Sequence, residues 1–160
     1  MWPSRSFFHL RIATEGGASS DAHERLLPVY LHINEKDLEW FRGKKEEIVP
    51  SVCELVSEAI SDIELESQRE GAEAITATPN RLAGCPHCIV AYTTAKRPRY
   101  DVVSLDVGTG GGAALKTSSF VLKLYVFPLE TEANDINQQP RRLAERCDSE
   151  YLSGIIDSSV

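Results

Sequence analysis

Residues 118–127 read SSFVLKLYVF. In an extended chain Phe120, Leu122, Leu124 and Val126 fall on one side, and Val121, Tyr125 and Phe127 on the other. A strand with one solvated face alternates apolar with polar residues, whereas a strand covered by two layers is apolar on both. Only Lys123 interrupts the second face. The stretch therefore predicts a central strand covered from both sides, ended by Pro128.

Two earlier stretches, IVAYTTA (89–95) and YDVVSLDV (100–107), share its β-branched and aromatic composition and are separated by turn-forming residues. Further upstream, PVYLHI (28–33) alternates Val29, Leu31 and Ile33 with Tyr30 and His32, the pattern of a half-buried strand with His32 on its solvent side. Asn34 then stands at a helix N-cap position, with Asp37 suited to the first turn. The following residues place Leu38, Phe41, Ile48, Val52, Leu55, Val56, Ala59 and Ile60 at gaps of three and four. Gly43 and Pro50 both oppose one straight helix, so the pattern predicts two helical segments sharing a buried face. DIELES (62–67) suits either an edge strand or the frayed end of that helix, and 68–84 reads as a long connection. TEANDINQQ (131–139) reads as a polar linker, with Pro140 in the first turn of a helix through RRLAERCDSEYL.

The order β-α-α-β-β-β-α lacks the regular alternation of a doubly wound sheet and predicts an α+β fold, helices packed on a mostly antiparallel sheet. The expected organisation is a flexible N-terminal segment over 1–27, the α+β domain over 28–127, and a polar linker with a C-terminal helix or tail over 128–160.

At 160 residues and 42% apolar, the chain is long enough for one domain with its own core. A formal net charge of −7 opposes general binding to nucleic acid, which rests on a basic surface, but leaves room for a local patch. That patch is KRPR (96–99), with Lys96, Arg97 and Arg99 between two expected strands. No apolar run approaches the roughly 20 residues of a membrane helix. The N-terminus lacks a secretory core; with Arg5 and Arg11 and no acid before Glu15, it resembles a mitochondrial presequence. Cys53, Cys85, Cys88 and Cys147 follow no disulfide-framework spacing. Reduced thiols and an intracellular location are expected, cytoplasmic or nuclear, with the mitochondrion as the alternative.

LDVGTGGG (105–112) resembles the first motif of class I S-adenosylmethionine methyltransferases, in which a strand leads into glycines that let the backbone approach the cofactor. The resemblance implies cofactor binding by Asp106, Gly108, Gly110 and Gly112. In that family the loop opens a helix and further βα units follow. Here the next ordered stretch is strand-like, so the residues themselves favour a flexible hairpin connection.

Cys85-Pro86-His87-Cys88 resembles the active-site tetrapeptide of DsbA-like thiol oxidoreductases. That chemistry needs the first thiol at a helix N-terminus, whereas β-forming residues follow here. The same CPxC spacing is similar to the knuckles of zinc ribbons, which implies Cys85 and Cys88 as two of four zinc ligands. No second pair supplies the remainder, and two buried reduced cysteines beside a turn is the plainer reading.

The C-terminal SSV matches the loose pattern captured by PDZ domains. With no Ser–His–Asp spacing, paired acids or H-E-x-x-H, the chain reads as a non-catalytic protein-interaction module. It is expected to be a subunit or adaptor of a larger intracellular, eukaryotic complex, with protein partners, no membrane and no cofactor. The alternatives are a small enzyme, working through the glycine loop or CPHC, and a zinc-stabilised binding domain.

Overall fold

The computed structural model describes residues 5–14, 23–69, 78–96 and 116–143. Strands β1 (Arg5–Thr14) and β2 (His23–Ile33) form an antiparallel pair, and a 3-10 turn at Glu35–Asp37 leads into helix α1 (Leu38–Arg69). There follow β3 (Asn80–Leu82), β4 (Ile89–Lys96), β5 (Lys116–Thr117), β6 (Phe120–Phe127) and helix α2 over 133–143. The sheet order is β1-β2-β6-β4-β3, with the short β5 beside β2. β2 runs parallel to β5 and β6, and the other pairs are antiparallel. This is the expected α+β class, a mostly antiparallel sheet with helices packed on it.

β6 is the middle strand, and all of its residues but Lys123 are buried. Leu122, Leu124 and Val126 meet Val29, Leu31 and Ile33 of β2 in register on the α1 side. On that side the core is closed by Phe41, Ile48, Val52, Val56 and Ile63 of α1. Each such side chain, fully buried, contributes about 1.5–3 kcal/mol. A gap between β1, β2, β6 and α1 has a volume of about 10 Å³, no more than a single water occupies. On the opposite, outer face Ile136 of α2 is fully buried against Ala91, Tyr125 and Phe127.

Three details depart from the sequence pattern, and at 62–67 the helical of the two open readings holds. Arg5–Thr14 and His23–Leu27, expected in a flexible lead-in, are strand: Phe8, Leu10 and Ile12 alternate onto the α1 core, while Phe7 and His9 between them hide that period. α1 is one helix of 32 residues through both Gly43 and Pro50. Pro50 is exposed, and the apolar residues on both sides of it bind the same sheet, which holds the helix together across the missing Pro50 hydrogen bond. Residues 62–67 continue that helix because Ile63 is buried beneath it. Finally, α2 starts within the expected linker, at 133, and Pro140 lies inside it, buried. In TEANDINQ the large apolar residue is Ile136, which anchors the helix together with the partly buried Leu143 at its end.

Asn34 caps the entry to α1: its side chain accepts from the Lys36 amide at 3.4 Å, and its carbonyl accepts from the Asp37 amide at 2.9 Å. Lys36 Nζ reaches Asp135 at 3.1 Å, linking this corner to α2; both side chains are well exposed, so the pair adds little stability.

Candidate functional site

The strand registers line up one row of side chains on the outer face. Phe7 sits opposite Tyr30, Tyr30 opposite Lys123, and Lys123 opposite Thr93. The next row carries Arg5, His32, Tyr125 and Ala91. α2 covers this face at Ala91, Tyr125 and Phe127. Towards β1 it is open: Phe7 is 51% exposed and Tyr30 40%. Their ring centroids lie 4.8 Å apart, and Phe7 also meets His9 edge-on at 5.1 Å. Exposed paired aromatics of this kind occur on surfaces that bind something.

At the border of the covered region His32 stacks on Tyr125 at 5.3 Å and 18°. Its Nδ1 is buried with no hydrogen-bond partner. His32 is thus half-buried, where sequence alternation placed it towards solvent. Burial first, then the charges of Arg5 and Lys123, lowers its pKa to about 4, so the ring is neutral near pH 7. The Tyr125 hydroxyl lies 3.4 Å from Thr93 Oγ1, and burial pushes its phenol above the ordinary range, the hydrogen bond pulling the other way. This neutral, stacked group is built for packing.

β1 forms one border of the sheet, paired among the described residues with β2 alone. Arg5, Phe7, His9 and Arg11 lie on its outer face, and the strand contains no carboxylate. Phe7, His9 and Tyr30 carry no motif, so sequence reading passed over them. The signal that finds them is the alternation of Phe8, Leu10 and Ile12 with polar or aromatic residues.

The CPHC stretch is the turn that feeds β4. Gly84 has φ +113°, a conformation glycine adopts readily and other residues rarely. Its carbonless side faces Leu55 of α1, whose Cδ1 would lie 3.6 Å from an added Cβ. Cys85 Sγ and Cys88 Sγ are 3.3 Å apart, with Cys85 partly buried and Cys88 fully. Burial, helped by the contact with Cys85, raises the Cys88 thiol well above its ordinary range. His87 Nδ1 stands 3.8 Å from Glu47 of α1. Among the described residues no group of three or more His, Cys, Asp or Glu is arranged to hold a metal. Neither cysteine opens a helix, since the turn runs into β4. Cys53 lines the small apolar gap with Phe8 and Leu31.

Asp106, Gly108, Gly110 and Gly112, as well as Arg97, Arg99 and Cys147, lie outside the described residues; Lys96 is the exposed last residue of β4. A polar cleft of about 330 Å³ opens between the last turns of α1, at Glu64, Ser67 and Gln68, and residues 117–120. Ser118 Oγ is buried there without a hydrogen-bond partner. No described helix is long and apolar enough to cross a membrane. No family model matches the chain, and no curated protein shows significant sequence similarity to it.

Proposed function

We propose that the chain is a non-catalytic protein-interaction module of a larger assembly, and that it takes an extended, acidic segment of its partner alongside β1. One observation carries this reading: a ten-residue border strand with its aromatic face exposed. An added strand gains main-chain hydrogen bonds along such an edge, and alternate side chains supply specificity. Opposite Arg5 and Arg11 the complementary residues are Asp or Glu, and opposite Phe7 an apolar or aromatic one. A second copy of the chain fits less well, because β1 offers no carboxylate to set opposite Arg5 and Arg11.

The test uses a nine-residue peptide that sets Glu opposite Arg5 and Arg11 and Val opposite Phe7, its Lys-for-Glu counterpart, and the acidic peptide N-methylated at alternate amides. Titration of the isotopically labelled chain should perturb the β1 amides with the acidic peptide alone, and added salt should weaken the effect. N-methylation on the ladder side should abolish it. Crosslinking in cells should join a stoichiometric partner to β1 through an acidic stretch. Equal binding of the lysine peptide, no perturbation of β1, or preferential occupation of the face by single-stranded oligonucleotide would each overturn the reading.

A further inference from the structure

We propose that Cys85 and Cys88 form a reversible intramolecular disulfide that takes its oxidising equivalents from a small-molecule disulfide. The motive is geometric. Two sulfurs three residues apart are already in contact at 3.3 Å, in a turn whose chain direction is set by Gly84 at φ +113° and by Pro86. A disulfide is about 2.05 Å long, so closure needs an approach of little more than 1 Å. The turn is held on one side by β4 and on the other by α1, through Gly84 beside Leu55 and His87 beside Glu47. The two thiols are therefore kept near each other by the fold itself.

The difference in burial assigns the order of events. Cys85 is the accessible sulfur and Cys88 is only 3% exposed. The thiolate of Cys85 attacks one sulfur of the small disulfide, breaking its S–S bond and forming a mixed disulfide; the first thiolate leaves and takes up a proton. Cys88 then loses its proton to solvent and attacks the Cys85 sulfur, expelling the second thiolate, which is protonated in turn. Two protein thiols and one small disulfide become one protein disulfide and two small thiols. Two electrons pass from the cysteine pair to the oxidant. A reduced small thiol reverses the sequence.

The experiment equilibrates the full chain in buffers of varied ratio of oxidised to reduced glutathione, then quenches, alkylates and maps the cysteines by mass spectrometry. Cys85 and Cys88 should lose alkylation together, at one midpoint ratio, with the mass of two hydrogens missing from the peptide that contains both. Cys53 should remain alkylatable throughout. Cys88→Ser should instead accumulate a glutathione adduct at Cys85. The proposal is overturned by a stable adduct at Cys85 in the unaltered chain, by pairing of either cysteine with Cys53 or Cys147, or by both thiols staying reactive at the most oxidising ratio. Stoichiometric zinc that protects both thiols from alkylation would also overturn it, in favour of a metal site. Because the main readout is made on the unaltered protein, a variant that fails to fold does not decide the result.

Discussion

Replacing Pro50 with Ala tests whether α1 is one helix. Pro50 is the thirteenth of 32 helical residues, exposed, with helix on both sides. It has no N–H to donate to the Glu46 carbonyl, and its ring crowds the preceding turn; in a helix interior this costs about 3 kcal/mol relative to Ala. Ala gives back part of the gain, because proline also restricts the unfolded chain, by about 0.4–1 kcal/mol. Pro50→Ala should therefore stabilise the protein by about 2 kcal/mol, a roughly thirtyfold shift in the unfolding equilibrium. With a urea slope of about 1–3 kcal/mol per molar, the midpoint should rise by about 1 M. Gly43→Ala is the independent companion. A Cβ at Gly43 would have nothing within 4 Å, so the change should add about 1 kcal/mol through backbone entropy alone. The two positions stand about 10 Å apart along the helix, and their effects should add. Urea unfolding followed by far-ultraviolet circular dichroism measures both. A loss of stability in Pro50→Ala, with no gain in helical signal, would mean that the chain breaks at Pro50, and the continuous helix would be wrong.

Three further outcomes are expected. His32 takes up a proton near pH 6.5 when unfolded but only near 4 when folded, so its contribution is complete above 6.5 and is lost as pH falls from 6.5 to 4. At about 1.4 kcal/mol per tenfold change in proton affinity this amounts to about 3 kcal/mol. Equilibrium unfolding of His32→Gln should show a flatter pH dependence across that window, and parallel curves would refute the assignment. Ile136→Ala should cost about 2–4 kcal/mol in the same urea assay, because the side chain is fully buried against Ala91, Tyr125 and Phe127; a loss below about 0.5 kcal/mol would mean that α2 does not seal that face. Phe7→Glu should lower the unfolding free energy by no more than about 2 kcal/mol in the urea assay, since the ring is half-exposed and loses only its pairing with Tyr30 and His9. It should nevertheless weaken the acidic peptide at least tenfold by calorimetry, and unchanged affinity would remove β1 as the docking edge.

What the sequence revealed, and what it hid, follows from how many neighbours each segment needs. β6 was legible because both of its faces are covered and its apolar run is almost continuous. β4 and the core half of β2 were legible from their own β-forming residues. The unity of α1 was not, since local propensity at Gly43 and Pro50 opposes a helix that only the common sheet beneath Phe41, Ile48, Val52, Val56 and Ile63 sustains. β1 was missed because Phe7 and His9 interrupt its apolar period, and the start of α2 because Ile136 is the one large apolar residue in its first turns. For the sites, CPHC was visible as a motif, but the 3.3 Å approach of its sulfurs depends on a turn clamped against α1. The aromatic row was invisible because Phe7 and Tyr30 lie 23 positions apart and meet only through strand register.

The same comparison of faces explains why a docking surface belongs on β1 and β2. Where α2 reaches, the outer-face residues are Ala91, Tyr125 and Phe127, all buried. Where it stops, they become Lys123 and Tyr30, then Phe7 with His9 and Arg11 at the border. A purely solvated face would carry polar residues there, and a covered one would carry apolar residues without charges among them. The row carries aromatic rings with cations beside them, a composition suited to a surface that is wet in one state and covered in another. His32 marks the boundary: stacked on Tyr125, flanked by Arg5 and Lys123, and kept neutral by burial. An acidic strand laid against β1 would bring negative charge towards Arg5, one of the two cations that hold the His32 pKa down, and so should raise that pKa on binding. Nuclear magnetic resonance titration of the His32 ring, with and without the acidic peptide, would read that linkage directly. An unmoved or lowered pKa in the complex would mean that no carboxylate approaches Arg5, and the edge assignment would fail at its most specific point.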